Sequence, residues 1–197
     1  KEAAGKMMET WEQSDQKFTI GYQFRFREDV QKLKKDLEEN ILGDIYCAKA
    51  HALRRKAVPA WGVFLDKDKQ GGGPLIDIGT HALDLTLWLM DNYEWESVMG
   101  TTFEKLGDRK NAANKGGSWD PEEFSVEDSG FGFVKFKDGA SLYLEASWAI
   151  NMLEPNKTSV LVGNEGTKEA AFTPLLMNEI KFGGLYFSLN FFYNLYR

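Results

Sequence analysis

Apolar residues recur at three- and four-residue spacings early in the chain and alternate with polar ones later, so the pattern reads as helices followed by a meander of strands. Over residues 1–15, Ala3, Met7, Met8 and Trp11 mark one side of a helix. Residues 17–26 are rich in aromatic and β-branched side chains, among them Phe18, Ile20, Tyr22, Phe24 and Phe26, and predict a strand. From Arg27 to Asn40, Val30, Leu33 and Leu37 line one face of a charged amphipathic helix, which Leu42-Gly43-Asp44 ends. Ile45 to Leu53 predicts another strand and Arg54 to Gln70 an irregular segment. A long apolar helix, Leu75 to Met90, is entered through Gly71-Gly72-Gly73-Pro74.

Beyond it, residues 95–104 and 126–137 predict strands, separated by a stretch from Lys105 to Phe124 that reads as a mobile loop. Asp138-Gly139 between two alternating runs, 130–136 and 141–148, signals an antiparallel hairpin. A second hairpin joins 158–162 to 169–172 through Gly163-Asn164-Glu165-Gly166. The aromatic tail at 186–196 suits either a strand or a helix, and no internal repeat is visible. Helices first and a strand meander later predict an α+β fold with a largely antiparallel sheet, not alternating β-α-β units.

Composition narrows the function. The 24 basic and 30 acidic side chains leave a net charge of −6, which argues against nucleic acid as a partner. A hydrophobic share of 43%, with 14 Phe, 7 Tyr and 6 Trp, supplies a core. The single Cys47 excludes an intrachain disulfide and a multi-cysteine zinc site, and it fits a reducing, cytoplasmic setting. No run approaches the roughly 18 apolar residues of a membrane span, and the first residues lack the apolar core of a secretory signal.

The helix at 75–90 carries the candidate chemistry. Most of its circumference is apolar, but Asp77, His81, Asp84 and Trp88 fall within about 60° of one another on an α-helix. Ionisable groups on a mostly buried helix are costly unless paired or facing a wet cleft, which makes the stripe a functional candidate. Its plain alternative is a structural triad that ties the helix to its neighbours. A metal reading is set aside, since His51 and His81 are the only histidines. A Ser-His-Asp hydrolase would need a G-x-S-x-G elbow, which is absent. So is the G-x-G-x-x-G dinucleotide fingerprint, because Ile76 stands where the third glycine of the 71–73 run would fall.

The run Gly71-Gly72-Gly73-Pro74-Leu75-Ile76-Asp77-Ile78-Gly79-Thr80-His81-Ala82-Leu83-Asp84, followed by Trp88-Leu89, resembles the signature of the substrate-side domain of the Gfo/Idh/MocA oxidoreductases. Gly21 to Phe26, Leu42 to Ile45, Arg54-Arg55, Trp61-Gly62, Val126 to Asp128, Phe136 to Ala140 and Ser147-Trp148 extend the resemblance over about residues 1–170. It implies an open, mostly antiparallel mixed sheet packed by helices on one face. It also implies that residues 1–26 correspond to the last helix and strand of a Rossmann domain and 27–197 to the C-terminal α/β domain. NAD or NADP would belong to a longer parent. None is expected for these residues alone, which lack the family's Glu-Lys-Pro motif and would be inactive by themselves.

The resemblance implies a sugar or polyol substrate whose secondary alcohol is oxidised to a ketone, with His81 as acid/base and Asp77 as its supporting carboxylate. Gly72 and Gly73 would let backbone approach the substrate or cofactor, the alternative being a flexible helix lead-in. Arg25, Trp61 and Asp84 complete the substrate-binding set. For Arg25 the alternative is a surface salt bridge, for Trp61 packing, for Asp84 a structural partnership. A homo-oligomer, dimer or tetramer, would form through the sheet face. The competing function is a non-catalytic binding or dimerisation module that uses the same face.

Overall fold

The computed structural model describes residues 2–109, 114–152 and 158–171. The tail at 186–196 lies outside them. Helix α1 (Glu2–Glu12) leads to an irregular stretch and a 3-10 turn (Gln23–Phe26), then α2 (Glu28–Glu38) and β1 (Ile45–Leu53). A short α3 (Lys67–Gln70) precedes a π-helical turn (Leu75–Gly79) that runs into α4 (Thr80–Met90). The strands β2 (Trp95–Phe103), β3 (Ser129–Phe136), β4 (Ser141–Ser147), β5 (Thr158–Gly163) and β6 (Gly166–Ala171) follow.

The six strands form one sheet in the order β2-β3-β4-β1-β5-β6. Only the β1–β4 pair is parallel, Ala48 opposite Leu142 and Ala52 opposite Ala146, while the other pairs are antiparallel. The architecture is thus the α+β fold with a largely antiparallel sheet that the pattern predicts, in the open mixed form with helices on one face that the resemblance implies. Parallel pairing arises because the chain between β1 and β4 crosses over the sheet through α4 and the β2–β3 hairpin. Gly139 makes the β3–β4 turn with φ +94°, a left-handed conformation that suits glycine, and the Asp138 carboxylate accepts the Ala140 N–H at 3.0 Å.

Helix α4 packs on β1 and β5. Ala82, Leu85 and Leu89 meet the small inward residues Ala48, Ala50 and Ala52 of β1, together with Leu142 and Leu161, all buried. Burying a leucine side chain contributes about 1.5–3 kcal/mol, so this layer dominates the stability. The buried Thr86 hydroxyl donates to the Ala82 carbonyl at 2.8 Å and shares a 2.7 Å bond with the Ser159 hydroxyl, which fixes α4 along β5.

Three local expectations change. Residues 17–26 form no strand: aromatic and β-branched residues favour a pleated surface only where a neighbouring strand offers a ladder. Here Phe24 is instead buried under α4, and Arg25 binds a helix carboxylate. The helix at 75–90 begins as a π turn, with Thr80 N–H donating to the Leu75 carbonyl five residues back. The loop from 105 to 124, where described, is tied down. Asn114 bonds both backbone groups of Val58 at 2.9 and 2.8 Å, and the Trp119 indole donates to the Gly107 carbonyl at 3.0 Å.

Candidate functional site

The site is built where the π turn and α4 lie between the 3-10 turn and the end of β4. Its first member, Asp77, sits in the π turn, mostly buried, and its Oδ2 accepts a hydrogen bond from the Trp148 indole N–H at 2.7 Å. Burial pushes the Asp77 carboxyl above the usual range, and the Trp148 bond, then the charges of Arg54 and His81, oppose that rise. Arg54, just past β1, is itself pushed down by burial while Asp77 acts to raise it.

His81 lies one turn further along. Its ring meets those of Tyr22 and Phe24 edge-on, at centroid distances of 5.8 and 5.6 Å. The backbone enters this wall at Tyr22 with φ 20°. Nδ1 of His81 is buried and has no hydrogen-bond partner among the described residues. Burial depresses the His81 imidazole below its ordinary value, with Asp77 and Asp84 pulling it up and Arg54 pushing it down. The ring is therefore held in its neutral form, the one able to accept a proton near neutrality.

Asp84 and Arg25 bind each other: Nε of Arg25 donates to Oδ2 at 2.7 Å and Nη2 to Oδ1. This forked pair raises the Arg25 guanidinium, chiefly through the hydrogen bond. The guanidinium also lies 5.9 Å from the Trp88 ring centroid, and Gln31 donates to the Arg25 carbonyl at 2.6 Å. The pair thus clamps the 3-10 turn to α4 and sets the wall against His81.

The structure brings Asp77, His81, Asp84 and Arg25 together but leaves Asp77 and His81 joined by charge alone; no hydrogen bond links them. Trp61 stands apart. Its ring is 57% exposed, edge-on to Phe64 at 5.9 Å, and lines a cleft of about 480 Å³ with Trp119, Lys69 and Glu122. Gly72 and Gly73 are buried, and a Cβ at Gly73 would lie 1.9 Å from the Glu127 carbonyl oxygen. The residues that sequence reasoning did not place in the site are Tyr22, Phe24, Arg54 and Trp148. All four lie in the short motifs at 21–26, 54–55 and 147–148, so the signal was present, but only tertiary packing assigns it. Among the described residues no group of three or more His, Cys, Asp or Glu side chains is arranged to hold a metal ion, and no helix is long and apolar enough to cross a membrane.

A family model described as GFO/IDH/MocA C-terminal domain matches residues 30–169. D-glucoside 3-dehydrogenase of Escherichia coli (strain K12) is 41% identical over 159 residues, which cover 81% of this chain and 45% of that protein. Among solved structures, an aldose-aldose oxidoreductase from Caulobacter crescentus complexed with glycerol superposes with a TM-score of 0.66 at 22% identity, covering 83% of this chain and 43% of that one. Levoglucosan dehydrogenase in complex with NADH and levoglucosan gives 0.62 at 22% identity, covering 78% and 40%. Those two likenesses concern the fold. The chain spans less than half the length of the curated relatives it matches. On the match over residues 30–169 and the 41% identity, the chain belongs to the GFO/IDH/MocA oxidoreductase family and carries its C-terminal domain.

Proposed function

We propose that this chain is the substrate-binding and proton-moving part of an NAD(P)-dependent sugar or polyol dehydrogenase, with His81 as the acid/base that takes the proton of a secondary alcohol as it becomes a ketone. The observation that carries this reading is the setting of His81. It is a half-buried imidazole with an enclosed Nδ1, which burial favours in the neutral form, with carboxylates on both sides along its helix and two aromatic rings packed edge-on against it. Neutral imidazole accepts a proton, and the flanking Asp77 and Asp84 charges then stabilise the imidazolium that results. The substrate class follows the 41% identical relative, whose name is that of a D-glucoside 3-dehydrogenase.

Alcohol oxidation also removes a hydride, and NAD or NADP is the acceptor carried by the longer parent. The described residues do not fit a dinucleotide. A pyrophosphate needs glycine N–H groups open at a helix start, whereas Gly73 is packed against the Glu127 backbone. Helix α1 fits the closing helix of the cofactor domain, whereas the closing strand expected before Phe26 is not formed here. Helix α1 buries none of its residues here and leaves Met7, Met8 and Trp11 exposed, as a helix whose own core lies elsewhere would. By the same reading the 197 residues alone do not turn over substrate, and a reducing compartment such as the cytoplasm suits the single Cys47.

The test is oxidation of glucosides and polyols by the full-length gene product, with and without His81→Asn. Loss of the acid/base lowers kcat by about 10²–10⁴-fold. Turnover at the wild-type rate in a folded variant removes His81 from the mechanism.

A second reading rests on the open face of the sheet. There Met99 is 74% exposed, and the ring pairs Phe103–Phe131 and Phe133–Tyr143, 5.9 and 5.0 Å apart, lie uncovered by any described helix. A second copy of the chain is the occupant this face suits. Dimerisation through it is compatible with catalysis and would be the remaining role were His81 inert.

A further inference from the structure

We propose that Trp148 is a positioning residue for the acid/base pair: its indole N–H, donated to Oδ2 of Asp77 at 2.7 Å, holds that carboxylate in place beneath His81. The inference rests on the reading of His81 as the acid/base. Trp148 follows β4 directly, 71 residues away in sequence from its acceptor, and is completely buried. Its backbone is fixed at both ends, the N–H donating to the Asp128 carbonyl at 3.2 Å and the carbonyl accepting from the Ala57 N–H at 2.9 Å. Packing alone would be met by a phenylalanine. What tryptophan adds is one donor, and that donor is spent on the one mostly buried carboxylate of the π turn.

The geometry of the turn explains why the donor is needed. The bond from Thr80 N–H to the Leu75 carbonyl spans five residues instead of four, so Asp77 faces the end of β4 and makes no hydrogen bond to His81. A buried carboxylate without a donor takes up a proton and loses its charge. Among the described residues Trp148 is the only side chain that hydrogen-bonds Asp77, and Arg54 adds charge without a hydrogen bond. The groups that act on the charge of His81 are Asp77 and Asp84 on its own helix and Arg54 beyond β1. Through Asp77, the tryptophan sets how strongly the imidazolium is supported.

The chain has two histidines, so NMR titration of the full chain reads His81 directly, with His51→Gln assigning the signals. Asp77→Asn removes the supporting charge, and the midpoint of the His81 titration falls. Trp148→Phe keeps an aromatic ring at the position but removes the donor and lets Asp77 protonate more readily, and the midpoint falls in the same direction by a smaller amount. A His81 titration unchanged in Trp148→Phe, with Asp77→Asn still shifting it, overturns the proposal and leaves the pair standing. No shift in either variant brings down the Asp77–His81 coupling and the proposal with it. Should Trp148→Phe not fold, the indole Nε1–H of Trp148 in the unaltered chain gives the answer. Its chemical shift moves with Asp77 ionisation across the acid range and stops moving in Asp77→Asn; a flat profile in the unaltered chain overturns the proposal.

Discussion

His81 is depressed below its ordinary value of 6.5 because burial disfavours the charged ring. The unfolded chain therefore binds the proton first. Stability contributed by the neutral ring is complete above pH 6.5 and is lost as pH falls from there through the folded value. His51, also lowered chiefly by burial, works in the same window. Asp77 is raised instead, so its effect has the opposite sign: its stability contribution is complete below its ordinary 3.8 and is lost as pH climbs from there through its folded value. The drop in unfolding free energy between pH 7.5 and 5.5, measured by urea denaturation, should be smaller in His81→Gln than in the unaltered chain and smallest in the His51→Gln/His81→Gln pair. Equal drops in all three would mean that neither imidazole is held neutral by the fold.

Asp128 shows what residue types alone did not reveal. It is fully buried and accepts the Leu106 N–H at 2.7 Å, the Lys105 N–H and the Ser129 hydroxyl at 3.0 Å, so it anchors the loop that leaves β2. Asp128→Ala leaves these donors unpaired and should cost about 2–4 kcal/mol in denaturant unfolding; a loss under about 0.5 kcal/mol would show that water replaces the carboxylate at no cost. In the sequence this aspartate falls in the motif Val126 to Asp128, but its role there was not legible, because hydrogen bonds between segments more than 20 residues apart leave no periodic trace. His81 and Asp77 were legible for the opposite reason: charges inside an apolar helical pattern stand out by themselves.

At the scale of elements, hydrophobic period located every strand of the described sheet and the two long helices that pack on or beside it, within a few residues at each end. It failed where structure depends on a partner. The aromatic run at 17–26 satisfied strand propensity but was claimed by α4 and Asp84. The π turn was invisible, since one extra residue per turn does not disturb a pattern that is apolar nearly all round. The glycine run gives the element-scale prediction. A Cβ at Gly73 meets the Glu127 carbonyl oxygen at 1.9 Å, and backbone cannot move aside as a flexible side chain can. Gly73→Ala should cost about 1–3 kcal/mol or more and lower the melting temperature. Gly5→Ala in α1, where nothing lies within 4 Å, should stabilise that helix by about 0.5–1 kcal/mol. Equal melting temperatures for the two variants would show that the lead-in to α4 is free to shift and that the 71–73 glycines serve something other than close packing.

For the whole molecule, the uneven cover of the sheet bears on the proposed association of two copies. Helices lie over β1, β4 and β5, while every residue of β2 is exposed, Val98 at 65% on one side and Met99 at 74% on the other. On the open face the register aligns Met99, Phe133, Tyr143 and Lys49 across four strands, next to Phe131, Glu145 and His51. The His51 ring sits beside Glu145, with Nδ1 and Oε2 3.2 Å apart, at the β1–β4 edge of the aromatic strip and next to Lys49. An aromatic strip with charges along its edge suits a self-complementary contact between two copies across a two-fold axis, apolar at its centre and polar at its rim. A stable interface buries about 1,200–2,000 Å² in total, which the area of a six-stranded face can supply. Met99→Glu places a charge at a position that the isolated fold leaves in water, so the monomer should keep its stability within about 0.5 kcal/mol. Association should weaken by at least about tenfold, because the new carboxylate would have to be desolvated at the contact. Urea denaturation of dilute samples measures the first quantity, and sedimentation equilibrium of the unaltered chain and of Met99→Glu over a range of concentrations measures the second. A monomer at every concentration in the unaltered chain, or a dimer indifferent to Met99→Glu, would mean that copies do not meet through this face and that its rings are covered by another part of the parent protein.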